Sequence, residues 1–185
     1  MYYKLKKFFY IKWLIYKGVK IDRTIQGFNF LFGNFKGLKL GRSIWIESGA
    51  KLIIGKEEAI LSIGDFSYIN SFTIIDCHHN INIGKRTQIG PHCYIGDFDH
   101  SIRVDFRNLL NHRASVKYSS VIIEDNVWIG AGVKILRGVT IGRNAVIGAG
   151  SIVINNIPAN AVAVGNPAKV IKIVKDNFDF DDFEI

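Results

Sequence analysis

The chain of 185 residues suits one domain with a short appendage, and 48% hydrophobic against 22% charged residues excludes a disordered chain. Its net charge of +8 is unevenly placed. Lys4, Lys6, Lys7, Lys12, Lys17 and Lys20 stand near the start without an acid, whereas Asp176, Asp179, Asp181, Asp182 and Glu184 close the chain without a base, so the middle is only mildly basic and nucleic acid is not the expected partner.

Residues 1–35 read as a basic, aromatic, helical segment. Its apolar run from Phe8 to Tyr16, broken by Lys12, is far shorter than the ~20 residues a spanning helix needs. No small-residue cleavage site follows it, which argues against a signal peptide. Two readings stay open for residues 1–20: a helix packed on the main domain or on a partner subunit, or a helix lying on an anionic membrane.

From residue 36 to 172 the pattern changes. Ile123, Ile129, Ile135, Ile141, Ile147 and Val153 are spaced by six without a break; Ile63, Ile69, Ile75 and Ile81 keep the same step, as do Ile83, Ile89 and Ile95. Six is neither the helix nor the strand period. One aliphatic per hexad, with glycine or a polar residue after it, fits a prism of short strands in which each face sends one side chain inward and each corner turns where Gly, Asn or Asp tolerates it. Three faces make one turn of a parallel β-helix. A second series at Val127, Val133, Val139, Ala145 and Ser151 fits positions near the corners. A lone strand of this kind cannot bury its aliphatic, so the coils must stack.

The breaks in the repeat mark where to look for chemistry. The phase slips by two between Ile81 and Ile83, just after Cys77-His78-His79-Asn80. No hexad spans Ser101 to Ser120, so a long excursion loop, residues 101–120, leaves the prism directly after Asp97-Phe98-Asp99-His100. Residues 173–185 form an acidic tail. Two cysteines, Cys77 and Cys93, are too few for a disulfide framework or a four-ligand zinc site and read as buried free thiols.

The segment IEDNVWIGAGVKILRGVTIGRNAVIGAGSIVINNIPANAVAVGNPAKVIK, from Ile123 to Lys172, resembles the hexapeptide-repeat acyltransferases, specifically the branch of maltose and galactoside O-acetyltransferases and the O-acetyltransferases of capsule and lipopolysaccharide assembly. The DNVWIGAG, GVTIG and GNPAKVI motifs carry the likeness. The resemblance implies a left-handed β-helix, a homotrimer, and acetyl-CoA as acyl donor in a groove between subunits, with no metal.

It also implies a set of site residues. His100 falls on the catalytic histidine, a group whose pKa suits proton removal from a hydroxyl near neutral pH. Asn70, Asp76, Asp97 and Asp99 fall on or near the binding site of a carbohydrate acceptor. Trp128, Ala131, Ala149, Ile154 and Asn155 fall on cofactor contacts, and Lys169 and Lys172 near the nucleotide phosphates. Ile154-Asn155 replaces the Thr-Lys of some relatives.

The expected function is O-acetylation of a sugar or surface-polysaccharide precursor in the cytoplasm or at the inner face of the membrane. The alternatives are N-acetylation of an amino sugar, serine O-acetylation, or a non-catalytic scaffold. A γ-type carbonic anhydrase would need a histidine pair five residues apart, which His78, His79, His92, His100 and His112 do not supply.

Overall fold

The computed structural model describes Lys12 and residues 30–33, 35–100 and 116–174. Lys12 is helical. Residues 1–11, 13–29 and 34 of the expected N-terminal helical segment, residues 101–115 of the expected loop, and tail residues 175–185 lie outside the described residues; at its end that segment is a strand, residues 30–33, rather than the expected helix.

The chain winds into three parallel sheets that form the faces of a β-helix. The first face is six-stranded: β1 (Phe30–Gly33), β4 (Lys51–Ile54), β7 (Ile74–Cys77), β10 (Tyr94–Gly96), β15 (Lys134–Ile135) and β18 (Ile152–Val153). The second is five-stranded, with β2 (Leu38–Leu40), β5 (Ile60–Ile63), β8 (Asn80–Ile83), β13 (Val121–Ile123) and β16 (Thr140–Ile141). The third is seven-stranded, with β3 (Trp45–Ile46), β6 (Tyr68–Ile69), β9 (Gln88–Ile89), β14 (Trp128–Ile129), β17 (Val146–Ile147), β19 (Ala161–Gly165) and β20 (Ala168–Ile173). β20 folds back antiparallel on β19 and closes that face. β1 pairs with β4, so the shaft reaches upstream of the boundary the hexads suggest at residue 36.

Each hexad aliphatic points inward and stacks on its counterpart one coil away. On the third face Ile46, Ile69, Ile89, Ile129 and Ile147 are in register, and all are 4% exposed or less. The second series also lies inside: Val127, Val133, Val139, Ala145 and Ser151 are buried beside the corners. Where that series is polar, the hydroxyls donate to corner carbonyls: Ser67 to Gly84, Thr73 to Gly90 and Ser151 to Gly148. Burial therefore leaves these groups paired.

The residue before each of these turns the corner in the left-handed region. Gly132, Gly138 and Gly150 do so with φ of 70–79°, and Asn126 and Asn144 with φ of 60° and 59°. Asn126, Asn144 and Asn160 form a ladder along the corner between the second and third faces, each side-chain amide donating to the next at 2.9 and 2.8 Å.

The two-residue phase slip has a structural cause. β8 has four residues, and both Ile81 and Ile83 point inward. Leu61 and Ile63 do the same in β5, and Ile75 and Cys77 in β7. The upper coils are thus wider than the eighteen-residue turns near the C-terminus, where Ile135 pairs with Val153.

Ile135→Ala is expected to cost about 2–5 kcal/mol in unfolding free energy by opening a cavity in a fully buried column. Ile122→Ala, at an outward position 36% exposed, should cost under about 1 kcal/mol. Urea midpoints of the two variants check the contrast.

Candidate active site

The wider coils give the first face an additional inward position just before it turns onto the second. Ile54 and Cys77 occupy it in register, and Asp97 stands there one coil further on, fully buried, its Oδ2 3.6 Å from Cys77 Sγ. A carboxylate in this column needs partners, because burying an unpaired charge is costly. Its Oδ1 accepts the backbone N–H of His78 at 2.8 Å and its Oδ2 that of His79 at 2.7 Å. Its own carbonyl accepts the N–H of Ser119 at 2.9 Å. Asp97 therefore holds together the corner of one coil and the departure and return of the excursion in the next.

The base of that excursion is an antiparallel ribbon of β11 (Phe98–His100) and β12 (Val116–Tyr118), in which Phe98 faces Tyr118 and His100 faces Val116. Two contacts tether it to neighbouring coils. Arg137 Nε lies 3.3 Å from Asp99 Oδ2, and the Lys56 ammonium sits over the Tyr118 ring, 3.7 Å from its centroid. Phe98 lies between two imidazoles, with ring centroids 4.2 Å from His78 and 5.9 Å from His100, the latter edge-on.

His100 is exposed at the end of β11. The carboxylate-paired ring in this cluster is His78, whose Nε2 lies 3.0 Å from Asp76 Oδ1. Burial pushes the Asp76 carboxyl above the usual carboxylate range, a rise that the adjacent His78 only partly offsets. Tyr94, on the neighbouring strand, folds across Gly96; burial raises its phenol pKa, and the charges of Asp76, Asp97 and Asp99 add to the rise. Among the described residues, no group of three His, Cys, Asp or Glu side chains could hold a metal ion.

The residues singled out from the sequence fall on different edges of the prism. Asp76, Asp97, Asp99 and His100 gather where the first face meets the second, and Ile154 and Asn155 follow the first face at the same corner further along the shaft. Asn70, Ala131 and Ala149 lie where the third face meets the first, with the Ala131 carbonyl accepting the N–H of Gly150. Trp128 is on the third face, and Lys169 and Lys172 are exposed on β20 of that face. His78, Tyr94 and Arg137 were not among the expected site residues. In the sequence, the phase slip directly after His78-His79 and the excursion directly after Asp97-Phe98-Asp99-His100 both mark that corner.

Residues 120–155 match the family model of the bacterial transferase hexapeptide, six repeats. The chain is 38% identical over 156 residues to a probable acetyltransferase of Mycobacterium tuberculosis, covering 84% of this chain but only 48% of that protein. It is 35% identical over 151 residues to the galactoside O-acetyltransferase of Escherichia coli, covering 79% of this chain and 70% of the relative. The chain belongs to the hexapeptide-repeat acetyltransferases. In shape it is similar to an N-acyltransferase from Bacillus cereus solved with dTDP and 3-hydroxybutyryl-CoA, with a TM-score of 0.73 and 21% identity over 84% of this chain and 82% of that one. At that identity the likeness shows the shared fold.

In this hexapeptide-repeat acetyltransferase the thiols are poorly placed to act as nucleophiles. Burial, and next the charge of Asp97, push Cys77 up to about 12, and burial raises Cys93 as well. Thiolate is the reactive form. Ellman's reagent at pH 8 is expected to modify neither cysteine in the folded protein and both once it is denatured.

Proposed function

We propose that this protein is an acetyl-CoA-dependent O-acetyltransferase that transfers an acetyl group to a hydroxyl of a sugar or surface-polysaccharide precursor, with His100 as general base. The observation that carries this reading is the position of His100: exposed, at the end of the ribbon that Asp97 anchors, beside the acidic corner that holds Asp76 and Asp99. Kinship with a galactoside O-acetyltransferase supports the sugar hydroxyl as acceptor.

In this mechanism the neutral His100 imidazole takes the hydroxyl proton as the oxygen attacks the thioester carbonyl. The tetrahedral intermediate collapses, the C–S bond breaks, and the imidazolium returns its proton to the departing CoA thiolate. Asp76 binds the acceptor beside His100, and Asn70, on another edge of the prism, reaches it from the neighbouring protomer. Asp97, with both oxygens already accepting backbone N–H groups, acts as a support, and Asp99 stays tied to Arg137. Trp128, Ala131, Ala149, Ile154 and Asn155 line the path of the cofactor, and Lys169 and Lys172 attract its phosphates as point charges.

Asn70, Ala131 and Ala149 share one edge of the prism and His100 another. This separation supports a homotrimer in which one protomer's histidine meets the cofactor groove of its neighbour. The β-helix from β1 to β20 forms the transferase domain. Residues 1–20 either pack on the main domain or a partner subunit or make a peripheral contact with anionic lipid at the inner face of the membrane, and the chain beyond β20 is an acidic tail. Among the described residues no helix is long and apolar enough to cross a membrane.

His100→Ala is expected to lower kcat by roughly 10²–10⁴ while acetyl-CoA affinity stays nearly intact. Thiol release from acetyl-CoA with a panel of sugars, amino sugars and serine measures this and identifies the acceptor class; an unchanged kcat removes His100 from the mechanism. If residues 1–20 make the lipid contact, deleting them is expected to abolish co-sedimentation with anionic liposomes while the protein still sediments as a trimer.

A further inference from the structure

His78 occupies a more fully built environment than the exposed His100, and the mechanism above leaves it without a role. Its side chain is 25% exposed and that of Asp76 17%. Across the 3.0 Å contact between His78 Nε2 and Asp76 Oδ1 we assign the hydrogen to Nε2, the arrangement in which the imidazole donates and an ionised carboxylate accepts. Two further contacts hold the ring in this pose. Phe98 covers it from the ribbon, centroid to centroid 4.2 Å. On the shaft side it lies against Gly55 of the preceding coil, where a methyl group would collide with the imidazole. Gly55 is outside the left-handed region, so its backbone would accept alanine. The absence of a side chain there makes room for the ring.

We propose that His78 is a positioning residue for the acceptor: by occupying Oδ1 of Asp76 it leaves Oδ2 alone to receive an acceptor hydroxyl. A bare carboxylate can accept from two neighbouring hydroxyls at once, one on each oxygen. A carboxylate with one oxygen engaged by the imidazole is held in a fixed direction and presents its free oxygen as the better acceptor for a hydroxyl beside the reacting position. The pair thereby selects acceptors that offer a lone hydroxyl at that point over those that offer an adjacent pair. This rests on the reading of the protein as an O-acetyltransferase with Asp76 in the acceptor site.

Three variants test it by steady-state kinetics of thiol release on the acceptor panel. His78→Leu removes the donor and keeps bulk. Gly55→Ala pushes the ring aside without removing an ionisable group. His78→Gln returns an N–H donor at a similar reach. The first two are expected to raise acceptor KM about tenfold, with kcat and the KM for acetyl-CoA changed by less than about twofold, and to narrow the preference for lone over paired hydroxyls. His78→Gln is expected to restore most of the acceptor affinity.

Long-range ¹H–¹⁵N spectra of the imidazoles give a readout independent of turnover: the wild type should show His78 protonated at Nε2, and Gly55→Ala should move that signal. An active wild type whose acceptor KM ignores both His78→Leu and Gly55→Ala overturns the inference alone, as does a His78 ring lacking hydrogen at Nε2. A wild type that releases no thiol with any hydroxyl acceptor overturns the underlying reading and the inference with it.

Discussion

The shaft depends on one repeated contact, an inward aliphatic side chain resting on its counterpart in the next coil. A short strand contributes one such side chain and cannot bury it alone, so the hexads are stable only as a stack. Ile129 illustrates this, held between Ile89 below and Ile147 above, with 0% exposure. Because the inward residue and the buried corner residue carry the packing, the outward positions are released from it. Asp76, Tyr94 and Trp128 are such outward residues, each just before or after a buried isoleucine. The scaffold thus separates stability from chemistry along a single strand.

The candidate site lies where that economy is broken. Widening the first face by two residues creates an inward position that an isoleucine fills in one coil, a cysteine in the next and a carboxylate in the third. A buried carboxylate in an aliphatic column would be a liability without donors. Here it has three: the backbone N–H groups of His78 and His79 at the neighbouring corner, and the Cys77 thiol. The same buried charge fixes the neighbouring corner, anchors the ribbon that presents His100, and lowers the reactivity of Cys77 beneath it.

The period of six was legible because an isoleucine or valine recurs in phase from Ile123 to Val153, and no other regular structure shares that period. The location of the excursion was legible for the same reason, as the place where the phase is lost. The role of Asp97 was not. In sequence it sits among loop-forming residues, and only sheet register stacks it on Cys77 and gives its oxygens to backbone amides. The Asp76–His78 pair was hidden in a related way. Two residues apart on an extended strand they share a side, but the corner that begins at His78 obscures that alternation until the turn is seen. Nor could spacing along the chain reveal that Asn70 and His100 belong to different edges of the prism.

The asparagine ladder solves a problem that the aliphatic columns create. Side chains repeating every six residues look alike from each face, so a chain displaced by one hexad would fill its interior almost as well as the native one. Asn126 and Asn144, by contrast, are eighteen residues apart, and the two left-handed corners between them are Gly132 and Gly138. A displaced chain would set amide against glycine and lose both rungs. The aliphatic residues make winding favourable, and the asparagines count the turns.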